Sequence, residues 1–281
     1  MLPSGNNDER PFVVLVLGIT GSGKSSFIKR ASGLKVHTGH ALESTTTEVW
    51  FVDTPGFSDS HVTTHSDIKV LEAISNELWR LITKEALAVH GGVYLHDITR
   101  DRMDGEGATI LSVLEAMVGE KAMDHVTLAT TKWDQVNYKD GEKRENELEK
   151  KYWKNLTQHG AKHGYRLRKD EKRAYSQIVQ DIEANNVQFP GGAILQIEGE
   201  IAEGKTIGDT SGGKVLHAHV NQSAGGLKKL IKELTDRLAK EEAKDHEEHK
   251  RLEDLLAAQK AELDKLLYQK QRPNCYNLPI N

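Results

Sequence analysis

The sequence is poor in cysteine and aromatic residues, and it has no excess of positive charge. One cysteine, Cys275, cannot form a disulfide framework, which predicts a reducing compartment. Lysine and arginine number 38 against 42 aspartate and glutamate residues, so the net charge is −4. This balance of charges gives no positive electrostatic field that would bind nucleic acid or an anionic membrane non-specifically. We therefore expect no nucleic-acid partner.

Long apolar runs are also missing. No run approaches the roughly 20 residues that cross a bilayer, so we expect no transmembrane segment. The opening segment, MLPSGNNDER, lacks the basic and then apolar layout of a signal peptide. Cys275 lies too far from the carboxyl terminus for prenylation. These absences predict a cytoplasmic protein.

Short apolar runs alternate with amphipathic segments in the first two thirds of the chain. The continuous runs Phe12–Leu17, Val93–Ile98 and Val126–Thr130 are typical of strands buried on both faces of a parallel sheet. Between them, apolar residues recur at helical spacing over Ile68–Ile82 and Ile110–Val118. The alternation predicts an α/β fold in three layers, with helices on both faces of a mostly parallel sheet.

Composition changes after this region and predicts the domain organisation. We expect an α/β domain over residues 10–190, then a glycine-rich connector over 191–226 with one short helix around Ile194–Ile201. Residues 227–271 are rich in Lys, Glu, Leu and Ala, which predicts a long charged amphipathic helix, followed by a tail over 272–281.

The leucines of the predicted carboxyl-terminal helix have heptad spacing, but the pattern is interrupted. The stretch Glu241–Arg251 contains no large apolar residue. Two interpretations remain open: a coiled coil that recruits a helical partner, or a helix that packs back on its own domain.

A phosphate-binding loop is predicted where the first strand ends. The segment Gly18–Ser25, GITGSGKS, matches G-x-x-x-x-G-K-[ST] at every fixed position, directly before a helical stretch. Such a loop turns backbone N–H groups around a polyphosphate, while Lys24 supplies charge and the Ser25 hydroxyl binds Mg²⁺. The candidate nucleotide-binding residues here are Gly18, Thr20, Gly21, Ser22, Gly23, Lys24, Ser25 and Ser26.

Two later segments indicate which kind of nucleotide the loop binds. Asp53 to Gly56, DTPG, follows an apolar stretch, so Asp53 is a candidate Mg²⁺ residue and Gly56 a candidate donor to a γ-phosphate. Thr131, Lys132 and Asp134, in TKWD, close the strand that begins near Val126. A carboxylate there accepts two N–H bonds from the edge of guanine, whereas adenine would leave it unpaired.

With these segments the sequence resembles the translation-factor-related class of P-loop GTPases, over roughly Phe12 to Ala184. Within that class it is similar to the septin-like group, which includes the immunity-associated and chloroplast-import GTPases, and most of all to fungal G-domain proteins. The resemblance is carried by GITGSGKSSFI, LESTTTEV, DTPGFSD, GVYLHDI and TTKWD. It implies a G domain that binds GTP or GDP with Mg²⁺ and hydrolyses GTP as a molecular switch.

The resemblance also implies roles for further residues. A switch I threonine that binds Mg²⁺ is expected at Thr46, with Thr45 and Thr47 as alternatives. In related immunity-associated GTPases a catalytic group is donated across a nucleotide-facing homodimer, and Arg100 and Arg102 are the candidates for that group. The loop that covers the base is expected between Gly160 and Ser176.

The sequence departs from this family in two ways that bear on hydrolysis. Phe57 follows Gly56, where Ras-like enzymes carry a glutamine that orients the attacking water. Only six residues separate Thr46 from Asp53, too few for the two strands of the expected hairpin. The spacing predicts a missing strand, through deletion, splicing or a misread gene, and weakened sensing of Mg²⁺ and γ-phosphate.

Two functions are therefore expected. The first is a guanine-nucleotide-binding protein that hydrolyses GTP slowly with Mg²⁺. The alternative is a GTP-dependent scaffold that does not hydrolyse and recruits partners through its carboxyl-terminal helix. A P-loop kinase is disfavoured by the DTPG and TKWD segments.

Overall fold

A six-stranded sheet lies at the centre of the protein. The computed structural model describes residues 12–31, 35–38, 45–54, 65–85, 87–101, 103, 105–188, 195–240 and 246–271. The strands are β1 (Phe12–Gly18), β2 (Lys35–Thr38), β3 (Thr45–Asp53), β4 (Val89–Asp97), β5 (Val126–Thr131) and β6 (Lys162–Arg166). Their order is β2-β3-β1-β4-β5-β6, with five parallel strands and an antiparallel β2 at one edge.

Nine helices are described around and beyond the sheet. They are α1 (Lys24–Ala31), α2 (His65–Lys84), α3 (Gly105–Val118), α4 (Tyr138–Glu147), α5 (Lys154–Gln158), α6 (Lys172–Gln188), α7 (Gln196–Ala202), α8 (Ser211–Lys240) and α9 (His246–Gln271). In the described part of the chain, no helix is both long and apolar enough to span a membrane.

The apolar run of β1 explains why helices cover both faces of the sheet. Successive side chains of a strand point to opposite faces. On one face, Leu15 joins a core with residues of α2, α3, α7 and α8: Leu71, Ile110, Ile197 and Leu216. On the other face, Val14 joins a core with residues of α1 and α6: Phe27 and Ile178. The predicted three-layer α/β fold with carboxyl-terminal helices is confirmed.

The prediction that a hairpin strand is missing is wrong. Strand β2 pairs antiparallel with β3, with Lys35 opposite Glu48 and Thr38 opposite Thr45. The hairpin is therefore present, but its first strand comes earlier in the sequence than expected. The run TTTEVWFVD is rich in β-branched and aromatic residues and forms one continuous strand, which includes the position expected for the switch I threonine.

The carboxyl-terminal helices begin earlier than predicted. The expected short helix is present as α7, but α8 starts at Ser211, inside the predicted connector. Gly213 explains the difference, because a Cβ there would lie 2.0 Å from the carbonyl oxygen of Ile207. A glycine that suggested a linker instead permits close packing of a helix.

The predicted single helix over 227–271 is also corrected. Helix α8 ends at Lys240 and α9 begins at His246, while residues 241–245 lie outside the described part. Helix α8 packs on α3, and α9 packs on α8. Helix α8 therefore packs back on the chain's own α/β domain, while recruitment of a helical partner stays a prediction.

Candidate functional site

The predicted phosphate loop forms a tight turn between β1 and α1. Gly18 and Gly23 have φ angles of 148° and 97°, in the region that L side chains rarely adopt. A Cβ on Gly18 would lie 2.6 Å from the carbonyl oxygen of Leu95, so the loop passes close to β4. The Ser22 amide donates to the Ile19 carbonyl at 3.1 Å and closes the turn. The Ser22 hydroxyl is buried and has no hydrogen-bond partner among the described residues.

Lys24 begins α1 and is folded back over the loop. Its Nζ donates to the carbonyl oxygens of Gly18, at 3.1 Å, and Ile19, at 3.2 Å. Burial lowers the pKa of the Lys24 amine, and the charge of Asp53 opposes that effect. The amine is thus close to the loop carbonyls and the Asp53 carboxylate, where it can neutralise a bound phosphate.

The structure brings Ser25 and Asp53 together. The Ser25 Oγ donates to Asp53 Oδ2 at 3.0 Å, at the carboxyl ends of β1 and β3. A hydroxyl and a carboxylate are oxygen ligands that suit Mg²⁺, which is commonly held by one or two protein groups, water and substrate phosphates. The donor set present therefore fits Mg²⁺ with a nucleotide. Gly56, the other candidate of this segment, lies outside the described residues.

Thr54 fixes the segment that follows Asp53. Its side chain is buried, and its Oγ1 donates to the carbonyl oxygen of Val16 at 2.7 Å. A buried hydroxyl with a backbone partner holds the end of β3 against β1. Asp53 is therefore carried by a segment that is tied to the same strand as the phosphate loop.

The assignment of Thr46 to the magnesium site is corrected. Thr46 lies in β3 and pairs with His37 of β2. A strand rises about 3.3 Å per residue, so Thr46 lies about 23 Å from Asp53 along β3. A magnesium ion cannot bind both residues, and Thr45 and Thr47 lie in the same strand.

The chain between α1 and β2 is too short to supply a replacement. Helix α1 has eight residues and ends about 12 Å from its start at the phosphate loop. Lys35 follows after only three residues, 32–34, and pairs with Glu48, about 17 Å before Asp53 along β3. The four steps from Ala31 to Lys35 span at most about 14 Å, too little to return to the phosphate loop and then reach Lys35. The shortened element is therefore this connection and not a strand.

Three residues of the TKWD segment are anchored by their side chains. The Thr131 Oγ1 donates to the carbonyl oxygen of Ser22 at 2.8 Å, and the Trp133 indole donates to Thr130 Oγ1 at 2.7 Å. Lys132 has a φ angle of 62°, a left-handed conformation that costs a residue with a Cβ about 1–2 kcal/mol. Its Nζ lies 2.5 Å from Asp97 Oδ2.

Asp97 is a site residue that the sequence analysis missed. It ends β4 and is buried, and the amide and hydroxyl of Thr99 also donate to its Oδ1. Burial acts to raise the pKa of the Asp97 carboxyl, but hydrogen bonds from Lys132 and Thr99 outweigh burial, so the pKa is lowered. The available signal was a carboxylate inside the otherwise apolar run Val93–Ile98.

Asp134 is exposed in a short 3₁₀ helix, Trp133–Gln135. Burial is the main cause of the raised pKa of Tyr175, and the charge of Asp134 adds to it, so the two residues are near each other. The turn after β6 lies beside them, because Leu167 donates to the Thr130 carbonyl at 2.7 Å and Arg30 donates to the Lys169 carbonyl. This turn falls within the range expected to cover the base.

The two arginines predicted to act across a dimer follow β4. The Arg100 amide donates to the Asp97 carbonyl at 3.3 Å, which places its backbone at the same edge of the sheet. Arg102 lies outside the described residues. Thr20 and Gly21 lie in the turn between β1 and α1, and Ser26 lies in the first turn of α1.

Comparisons with known proteins give structural similarities but no sequence relative. No family model and no curated protein matches the sequence. Among solved structures, the chain is similar to Toc33 from Arabidopsis thaliana in complex with GDP and Mg²⁺, at 19% identity and a TM-score of 0.46, covering 67% of this chain and 88% of that one.

Two further solved structures are similar to parts of this chain. Toc33 with Mg²⁺ and GMPPNP gives 19% identity and a TM-score of 0.45, covering 67% of this chain and 89% of that one. Translation elongation factor SelB from Methanococcus maripaludis, in complex with a GTP analogue, is 11% identical with a TM-score of 0.41. The match covers 66% of this chain and 36% of that one.

Proposed function

We propose that the protein binds a guanine nucleotide at the carboxyl edge of its sheet and hydrolyses GTP slowly with Mg²⁺. The proposal depends on one observation: hydrogen bonds join the phosphate loop to both other sequence segments. The Ser25 hydroxyl donates to the Asp53 carboxylate at 3.0 Å, and the Thr131 hydroxyl donates to the Ser22 carbonyl at 2.8 Å. Residues far apart in sequence thus meet at one edge of the sheet, which supports a single site for polyphosphate and base.

Each part of a nucleotide has a partner in this arrangement. The loop amides and Lys24 would hold the phosphates, and Ser25 and Asp53 would hold Mg²⁺. When bound, Mg²⁺ would neutralise charge on the phosphate oxygens. The exposed Asp134 carboxylate would accept hydrogen bonds from guanine. An adenine base offers no matching pair of donors, so we expect strong preference for guanine.

Slow hydrolysis follows from catalytic groups that the described residues do not bring to the site. Thr46 is about 23 Å from Asp53 along β3, and residues 32–34 are too few to supply another threonine. Phe57 has no group that can orient water. A second copy of the chain would complete the site if Arg100 or Arg102 acted across a dimer.

A second candidate is a nucleotide-dependent scaffold without hydrolysis. It is favoured by the three-residue connection between α1 and β2, which removes the usual means of sensing the γ-phosphate. Helices α8 and α9 expose Leu230 and Leu255 to solvent, with 39% and 45% of their surface accessible. Helix-binding partners use apolar residues of this kind.

GTP turnover measured at rising protein concentrations separates the two candidates. The purified protein is assayed with Mg²⁺, with ATP as the control substrate and Lys24→Met as the control for contaminating enzymes. Turnover of GTP alone, abolished in Lys24→Met, supports the GTPase. Specific activity that rises with concentration points to completion by a second copy. Binding of GTP without turnover supports the scaffold, and absence of guanine-nucleotide binding contradicts both.

A further inference from the structure

Asp97 and Lys132 form an ion pair beside the proposed base site. The Asp97 carboxylate receives three donors: Lys132 Nζ at 2.5 Å, the Thr99 amide at 2.9 Å and the Thr99 hydroxyl at 2.7 Å. A buried carboxylate with this many donors has a fixed position. Asp97 therefore offers Lys132 a rigid anchor.

Lys132 has a backbone conformation that its own side chain does not favour. Among the described residues other than glycine, it is the one with a positive φ. The turn it makes leads directly into the 3₁₀ helix that carries Asp134, and the Gln135 amide donates to the Lys132 carbonyl at 2.9 Å. The direction of Asp134 thus depends on the conformation of Lys132.

The residues on either side of Lys132 have anchors of their own. Thr131 bonds the phosphate loop, and the Trp133 indole bonds Thr130. The Asp97 pair completes this set, and Asp134 is the member of TKWD whose side chain makes no hydrogen bond within the described part of the chain. Three anchored residues thus present one exposed carboxylate.

We propose that Asp97 is a positioning residue for guanine recognition: it holds Lys132 in the left-handed conformation and so fixes the direction of Asp134. This inference rests on the proposed function. Asp97 touches neither base nor phosphate in this mechanism. The ion pair between the Lys132 ammonium and Asp97 stabilises the backbone turn. This pair, more than any contact with the nucleotide, is the reason that the lysine is required.

Substitutions at Lys132 test this mechanism directly. Both substitutions remove the ion pair with Asp97. Glycine adopts the left-handed conformation without strain, whereas alanine keeps the conformational cost of that backbone. We expect Lys132→Ala to bind fluorescent GDP about tenfold more weakly than the unmodified protein, and Lys132→Gly to lose clearly less affinity than Lys132→Ala. Equal losses in both variants would show that the ammonium itself contacts the nucleotide, which overturns the proposal.

Asp97→Asn tests the second partner, with inosine diphosphate as the probe of base recognition. Inosine lacks the exocyclic amine that Asp134 would accept from guanine, so the ratio of GDP to IDP affinity reports the Asp134 contact. We expect Asp97→Asn to lower GDP affinity about tenfold and to reduce that ratio. In the Lys132→Gly background, Asp97→Asn should have no further effect on the ratio.

The matched control is Asp101→Asn, which removes an exposed carboxylate from the same loop, where it pairs with Arg144. This control should leave the ratio unchanged. An equal loss of GDP and IDP affinity in Asp97→Asn would show a general structural role and contradict the proposal. If Asp97→Asn fails to fold by circular dichroism, the glycine and alanine variants of Lys132 still decide the matter. If the unmodified protein binds GDP and IDP equally, Asp134 recognition of guanine is wrong in itself.

Discussion

The hydroxyl of Thr131 donates a hydrogen bond of 2.8 Å to the carbonyl oxygen of Ser22, and so connects the end of β5 to the phosphate loop. The two residues lie far apart in sequence, yet both are buried. A Cβ added at Gly23 would lie 3.9 Å from the Thr131 side chain, so the loop leaves room for little more than a methyl group there. The segment that would bind the base therefore also supports the loop that would bind phosphate.

Replacing Thr131 with valine should destabilise the protein. The substitution keeps the shape but leaves the buried Ser22 carbonyl without its donor, which costs about 1–3 kcal/mol. Urea unfolding measures the free energy of unfolding, and Thr131→Ser is the control that keeps the hydroxyl. Equal stability of the valine and serine variants at the wild-type value would show that the bond contributes nothing.

Asp134→Asn should change the base preference from guanine to xanthine nucleotides. An amide presents a donor where the carboxylate presents an acceptor, and xanthine presents an acceptor at the corresponding position. Competition binding with GDP and xanthosine diphosphate measures the switch, for which we expect at least tenfold loss of GDP affinity. Exposed Asp140, on α4, supplies the control variant Asp140→Asn. Unchanged selectivity would remove Asp134 from the site.

Lys24→Met should abolish nucleotide binding, while two opposing effects act on stability. Burial of the Lys24 amine carries a desolvation penalty, which lowers its pKa, but its Nζ also donates to the Gly18 and Ile19 carbonyls. An apolar side chain of similar length removes that penalty together with the charge needed by phosphate. Thermal unfolding measures the net effect on stability and fluorescent-nucleotide titration measures binding, with exposed Lys29→Met as the control on the same helix. Retained binding in Lys24→Met would contradict the phosphate role.

His90 should make stability fall at acidic pH. Burial, followed by the charge of His125, lowers the pKa of His90 from 6.5 to about 4, and its Nδ1 accepts from the Val13 amide at 3.1 Å. Since the unfolded chain binds the proton first, the contribution is present above pH 6.5 and is lost as pH falls from 6.5 to 4.

A comparison with His90→Asn isolates this contribution from the other titrating groups. The asparagine oxygen can accept the Val13 amide but does not titrate. The difference in unfolding free energy between the two proteins should change by up to about 3 kcal/mol across this window. Parallel pH profiles for the two proteins would exclude His90 as the source.

The short connection at residues 32–34 should leave the protein nearly indifferent to the γ-phosphate. With no threonine from that connection to bind Mg²⁺, GDP and a non-hydrolysable GTP analogue should bind within about threefold of each other. Isothermal titration in Mg²⁺ and in EDTA measures both affinities. A Mg²⁺-dependent preference for the GTP analogue of tenfold or more would show that another segment senses the γ-phosphate.

The sequence predicted those parts of the site whose chemistry is local. The loop at Gly18–Ser25 and the Asp53 carboxylate each carry their signal in a few adjacent residues. Because the carboxyl ends of parallel strands meet at one edge, strand prediction was enough to bring Ser25 and Asp53 together.

The errors arose where the structure depends on distant contacts. Thr46 belongs to a strand because β2, the short segment KVHT, pairs with it, and KVHT has no distinctive pattern of its own. Gly213 suggested a linker because its close contact with Ile207 is a tertiary feature. The Asp97–Lys132 pair joins the ends of two different strands, and no local motif indicates such a pair.

Helix α8 has a mechanical consequence for the fold. It has 30 residues, so it is about 45 Å long, and it packs on α3, which follows the loop after β4. A rotation of about 5° at its amino-terminal end moves its far end by about 4 Å. A small change in angle where α8 begins, against α2 and α3, would therefore become a displacement the size of a side chain at its far end.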